Sequence, residues 1–172
     1  MFGSKEAADD EKPMGTISVG IADMACSDQP TASLITYALG SCLGVTLYDP
    51  LAQVGGMLHL MLPYSKLNGD REVENPFMYV DTGLPQLFTQ FYALGGRRER
   101  AVVKVAGGAQ LMDSQGRFRI GERNCIMLKK LLWKNNIAIA AEELGGGISR
   151  TMTLEIGNGR VVINTAGRLR EL

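Results

Sequence analysis

Residues 57–62, Met-Leu-His-Leu-Met-Leu, constrain the fold more tightly than any other segment of the chain. Side chains on a strand alternate between two faces, so Leu58, Leu60 and Leu62 share one face and Met57, His59 and Met61 the other. Both faces are apolar apart from His59. Such a strand has to be covered on both sides, which demands a layer above it and a layer below it. Residues 43–48, just upstream, set Leu43, Val45 and Leu47 against Gly44, Thr46 and Tyr48, and Asp49-Pro50 closes that strand. If the two runs pair antiparallel, the start of one lies beside the end of the other.

Further strand-type runs occupy 16–22, 33–39, 101–106, 137–142, 151–156 and 160–164, the last two joined by Gly157-Asn158-Gly159, a hairpin turn signal. Two segments carry a helical period instead. Leu84, Leu87, Phe88, Phe91 and Leu94 recur at spacings of three and four before Gly95-Gly96 stops the helix, and residues 122–135 carry Cys125, Leu128, Leu131 and Leu132. Pro85 is expected in the first turn of its helix, where a missing N–H costs little. The glycine pairs at 55–56, 95–96, 107–108 and 145–146 are expected at element boundaries. Two helices on a largely antiparallel strand system make an α+β fold. Residues 1–14 are small and charged without periodicity, which predicts a disordered tail ahead of a single domain at 15–172. With 172 residues, 45% of them hydrophobic, the chain can build a core of two or three layers.

Lys+Arg and Asp+Glu number 18 each, so the balance carries no sign of a nucleic-acid binder. No run approaches the roughly 20 apolar residues of a membrane helix, and the first residues lack a signal-peptide core, so membrane insertion is not expected and a cytoplasmic location is. Cys26, Cys42 and Cys125 are odd in number and lack Cys-x-x-Cys spacing, which argues against a disulfide framework and against a zinc site. A phosphate-binding glycine loop is also absent.

His59 is the only histidine, so chemistry that needs an imidazole near neutral pH has to use it. Nucleophilic catalysis by Cys, Ser or Thr with His59 as base is the reaction type left open. Cys42 lies in Gly40-Ser41-Cys42-Leu43-Gly44, where a glycine turn enters the apolar strand 43–48, and the strand bearing His59 follows after one short connection. Backbone amides exposed at such a turn, around Gly40, Ser41 and Cys42, are candidates for an oxyanion hole. Two readings of each residue stand at this point. Cys42 is an inert core thiol or a nucleophile, and His59 a hydrogen-bonded core residue or its base. Cys26, expected in a loop with no base nearby, and Cys125, on an apolar helix face, read as structural.

The run Leu34-Ile35-Thr36-Tyr37-Ala38-Leu39-Gly40-Ser41-Cys42-Leu43-Gly44-Val45-Thr46-Leu47-Tyr48-Asp49, followed by Gly55-Gly56-Met57-Leu58-His59-Leu60-Met61-Leu62-Pro63, closely resembles the signature of the chemoreceptor glutamine deamidases, the CheD family. The similarity continues through Lys104-Val105-Ala106-Gly107-Gly108-Ala109, Ile120-Gly121-Glu122-Arg123-Asn124 and Ala141-Glu142-Glu143-Leu144-Gly145-Gly146 to Arg150, covering nearly everything after residue 14. Tyr37-Ala38 replaces a smaller or aliphatic pair, and Glu143 stands where the family more often has Asp.

The resemblance implies a three-layer α/β/β sandwich and a cysteine–histidine pair with a supporting threonine, here Cys42, His59 and Thr36. His59 would draw the Cys42 proton, its imidazolium favouring the thiolate, and Thr36 would accept a hydrogen bond from the other ring nitrogen. The implied substrates are glutamines on the cytoplasmic helical bundle of methyl-accepting chemotaxis receptors, and the implied partner is a CheC-type phosphatase of the chemotaxis response regulator. No small-molecule cofactor is implied. The competing reading is a non-catalytic adaptor that binds receptors or the phosphatase, and a third is a cysteine peptidase using the same pair.

Overall fold

A computed structural model describes residues 15–69, 72–111 and 119–172. The expected tail at 1–14 lies outside the described residues. Ten strands and two helices run in the order β1 (Thr16–Ser18), β2 (Asp23–Ser27), β3 (Ser33–Leu39), β4 (Leu43–Asp49), β5 (Val54–Leu60), α1 (Val80–Ala93), β6 (Val102–Gly107), α2 (Ile120–Lys134), β7 (Ile139–Leu144), β8 (Arg150–Glu155), β9 (Val161–Thr165) and β10 (Arg168–Glu171). They form two sheets, ordered β1-β3-β8-β9-β10 and β2-β5-β4-β6-β7. Only β1–β3 and β6–β7 pair parallel among the described residues.

The two-faced pattern of β4 and β5 explains how the layers stack. Leu43, Val45, Leu47, Leu58 and Leu60 pack with Leu84, Leu87 and Phe91 of α1 and Leu128 and Leu132 of α2. Tyr48 and Met57, from the opposite faces, pack with Leu34, Leu39, Met152 and Leu154 of the other sheet. Every residue of both strands is buried, as a strand clad on both faces requires. The fold is therefore an α+β sandwich with helices, a first sheet and a second sheet in three layers.

Several expectations need correcting. The run 16–22 is not one strand: β1 stops at Ser18, and the chain turns through Ala22, at φ 53°, into β2, which the sequence reading missed. Cys26 consequently lies in a strand, paired with Gly56 of β5, and not in a loop. Gly55-Gly56 sits inside β5, not at a boundary. A Cβ on Gly55 would meet Ile156 at 2.6 Å and one on Gly56 would meet the Cys26 sulfur at 2.6 Å, so close packing, not turn geometry, calls for these glycines. Helix α1 begins at Val80, which puts Pro85 in its interior. Strand β10 was also missed. Its four residues are all exposed, so no apolar alternation marks it.

Asp49 ends β4 as a buried carboxylate. The Arg100 guanidinium at 2.6 Å and the amides of Leu51, Ala52 and Arg97 hold its carboxyl well below the usual carboxylate range. That cluster fastens the end of the β4–β5 hairpin remote from Cys42.

Candidate active site

His59 is fully buried on β5, on the face turned toward the second sheet. Its partner comes from that sheet: Thr36 of β3 places its hydroxyl oxygen 2.7 Å from His59 Nδ1. The same hydroxyl lies 2.8 Å from the Val19 carbonyl oxygen. A carbonyl only accepts, so the single Thr36 proton goes to Val19, and Thr36 must accept from His59. Nδ1 therefore carries the ring proton, leaving Nε2 with a free lone pair. Nε2 is buried and has no hydrogen-bond partner among the described residues. Burial pushes the imidazole pKa down from 6.5 to about 4, so the ring rests neutral.

Thr36 faces inward by simple alternation with Leu34, and β3 is bulged just after it. Its register against β8 runs Thr36 to Met152 and then Leu39 to Arg150, one extra residue on the β3 side. The bulge brings Leu39 inward on the same side as Thr36, where simple alternation would oppose them, and leaves Tyr37 and Ala38 on the outside. Ala38 takes φ 55° to make the bend. Since a left-handed alanine is strained, Ala38→Gly is expected to stabilise the fold by about 1 kcal/mol and raise the thermal midpoint by roughly 2–4 °C, read in a melting experiment.

Cys42 follows in the turn from β3 into β4. Gly44 pairs directly with His59, so Cys42, two residues earlier, is the diagonal neighbour of His59 on the same face. Diagonal positions of this kind stand about 7–8 Å apart at Cα, with side chains closer. Cys42 is half-buried and packs against the inter-sheet core. Burial raises its thiol pKa, while its own backbone amide lowers it. Burial thus opposes charge on both groups and favours the neutral thiol and the neutral imidazole.

The turn's carbonyls are tied down and two of its amides are left available. The Gly108 amide donates to the Cys42 carbonyl at 2.8 Å and the Ala109 amide to the Gly40 carbonyl at 2.8 Å. Gly107, at φ 115°, passes so close that a Cβ there would sit 2.2 Å from the Cys42 carbonyl oxygen. The Gly40 amide is used by the Ala38 carbonyl, but the amides of Ser41 and Cys42 donate to no backbone acceptor among the described residues. Ala38, Gly40, Ser41 and Cys42 form one side of an open cleft of about 410 Å³, facing Ala109, Gln110, Leu111 and the start of α2 at Arg119, Ile120 and Gly121. Of the other cysteines, Cys26 is half-buried with its thiol pushed up by burial to about 12, and Cys125 packs against Gly108. Among the described residues no group of three or more His, Cys, Asp or Glu could hold a metal ion.

Two groups at the site were not foreseen. The Val19 carbonyl, which orients Thr36, is a main-chain atom and leaves no mark in the sequence. Asn124 did leave one: it interrupts the buried stripe Gly121, Leu128, Leu132 of α2 with a polar side chain.

An α/β/β sandwich with a thiol at a glycine turn, beside a buried imidazole of fixed tautomer, has the layout of a candidate cysteine hydrolase. Comparison with known proteins names the family. Residues 61–165 match the family model described as CheD chemotactic sensory transduction. The chain is 48% identical over 159 residues to a probable chemoreceptor glutamine deamidase CheD of Solibacter usitatus, covering 92% of this chain and 94% of the relative. It is 46% identical over 160 residues to the probable chemoreceptor glutamine deamidase CheD 1 of Syntrophus aciditrophicus, covering 92% and 100%, and 41% identical over 150 residues to that of Pyrococcus horikoshii, covering 86% and 91%. The chain belongs to the CheD family.

Proposed function

We propose that this protein hydrolyses the side-chain amide of glutamines on methyl-accepting chemotaxis receptors, releasing ammonia and leaving glutamates, with Cys42 as nucleophile and His59 as base. The names of its relatives support the reaction, and one observation carries the assignment of residues: the Val19–Thr36–His59 relay leaves the Nε2 lone pair free on the face shared with Cys42. Cys42 Sγ attacks the carboxamide carbon as Nε2 takes its proton, so charge forms only during the step. The Ser41 and Cys42 amides stabilise the oxyanion. Collapse of the tetrahedral intermediate breaks the C–N bond, and the imidazolium returns the proton to departing ammonia. Nε2 then draws a proton from water, whose attack on the thioester gives the glutamate and frees the thiol.

No described helix is long and apolar enough to cross a membrane, and the reading puts the enzyme on the cytoplasmic helical bundle of the receptor. A CheC-type phosphatase, proposed from the family resemblance, would occupy the same receptor-binding surface. Intact-mass analysis of a receptor cytoplasmic domain co-expressed with the protein tests the activity. Conversion of amide to acid with an unbroken chain is expected; a cleaved receptor would indicate a peptidase, and an unmodified but tightly bound one an adaptor.

Thr36→Ala removes the group that fixes the tautomer and keeps both reacting groups. The expected loss in kcat is on the order of 10- to 1,000-fold. Thr36→Ser should recover most of it, because a serine hydroxyl can make both the Val19 and the His59 contacts. Steady-state kinetics of ammonia release reads both variants.

A further inference from the structure

Asn124 is fully buried on α2. Its Nδ2 group donates one hydrogen bond to the Ser41 carbonyl at 3.0 Å and another to the Met61 carbonyl at 2.8 Å. Its Oδ1 has no partner among the described residues. Leaving a buried acceptor unpaired carries a stability cost that packing of the helix does not require.

The two acceptors mark what the amide is for. Ser41 immediately precedes Cys42, and Met61 lies two residues beyond His59. The β4–β5 ladder ends at the Leu43–Leu60 pair, so past that point no ladder bond holds the two chains together. The Asn124 amide spans them there. No hydrogen bond from Cys42 reaches Nε2 in the resting structure, so the separation of thiol and ring is set by the backbone on either side.

Building on the proposed Cys42–His59 pair, we infer that Asn124 is a positioning residue: by holding the Ser41 and Met61 carbonyls on one amide, it fixes the gap across which the thiol proton passes to Nε2. Proton transfer needs hydrogen-bond reach, and a misplacement of about 1 Å costs on the order of 100-fold in rate. Substituting Asn124 lets the Cys42 turn drift from β5, while the facing side of the cleft at Ala109, Gln110 and Leu111 carries none of the Asn124 contacts.

Asn124→Ala and Asn124→Ser are made in a Cys26→Ser, Cys125→Ser background, so that iodoacetamide alkylation reports Cys42 alone. Both variants are expected to lose on the order of 10- to 100-fold in kcat with KM nearly unchanged, and alkylation of Cys42 is expected to slow. In a His59→Ala background, the same substitutions should scarcely alter alkylation, because the coupling they disturb is already gone. Equal slowing in both backgrounds, or a lowered melting temperature with kcat and alkylation unchanged, overturns the inference. Should either variant fail to fold, the unaltered protein still decides: the Asn124 side-chain amide protons must exchange slowly with solvent by NMR, and fast exchange overturns it. If His59→Ala by itself leaves deamidation and alkylation unchanged, the Cys42–His59 pair is what fails.

Discussion

Cys42→Ala and His59→Ala each abolish nearly all receptor deamidation, and the double variant is no slower than the worse of the two. For either single change the expected loss in single-turnover rate is on the order of 1,000- to 10,000-fold or more, the range seen when one member of a nucleophile–base pair is removed. The effects are not expected to add because, in the proposed mechanism, every proton His59 handles belongs to a step that needs the Cys42 thiol: attack, release of ammonia, and hydrolysis of the thioester. Once the thiol is gone, the imidazole has no proton to handle. Cys26→Ser and Cys125→Ser are expected to keep activity near that of the unaltered protein, since Cys26 packs on the helix-side core next to Gly56 and Cys125 packs beneath Gly108. A receptor domain in large excess, sampled by intact mass, separates these outcomes. Retention of near-normal deamidation by His59→Ala would end the assignment, because the chain has no second histidine.

The protein is expected to lose stability as pH falls from 6.5 toward 4, through protonation of His59 on unfolding. Its ring is neutral in the fold down to about pH 4 but titrates near 6.5 when unfolded, so within that window the unfolded chain binds the extra proton. Stability therefore rises with pH across the window and is complete above it. The difference in pKa corresponds to on the order of 3 kcal/mol. Asp23 of β2, paired with His59 of β5, has its carboxylate engaged by the Gly20 and Met24 amides. Asp49 acts in a lower range: its depressed pKa contributes stability that is lost only as pH drops below 3.8. Urea unfolding at a series of pH values is expected to show the upper limb in the unaltered protein and a flatter one in His59→Gln. The same neutrality shapes activity. The acid limb of kcat/KM falls well below pH 6.5, toward 4, and a limb centred at 6.5 would mean that the ring is solvated in the working enzyme.

What the sequence determined by itself is the part of this molecule governed by short-range rules. Alternation in β5 calls for two covered faces, because burying one face would leave the other in water; the three-layer order is what the family resemblance implies. The short connection after Asp49-Pro50 permits an antiparallel pairing of β4 and β5, in which Cys42 and His59 can approach each other. Gly157-Asn158-Gly159 specified the β8–β9 hairpin in the same way. Boundaries set by packing were less legible. The start of α1 and the close approach at Gly55 and Gly56 depend on what lies against them, and β10 has no buried face to announce it.

Tertiary structure decided the rest. Thr36 and His59 sit on different sheets, and their hydrogen bond exists because the sheets stack with the inward face of β3 against β5. The tautomer of His59 hangs on a main-chain carbonyl at Val19, and its neutrality on complete burial, neither of which is a property of residue type. Asn124 reads in sequence only as a polar break in a helical stripe. Its meaning comes from the two carbonyls, Ser41 and Met61, that α2 meets when it docks over the open end of the β4–β5 pair. Local pattern chooses which faces are buried, but which buried polar groups meet is settled by long-range packing, since each needs a partner that only the assembled layers supply.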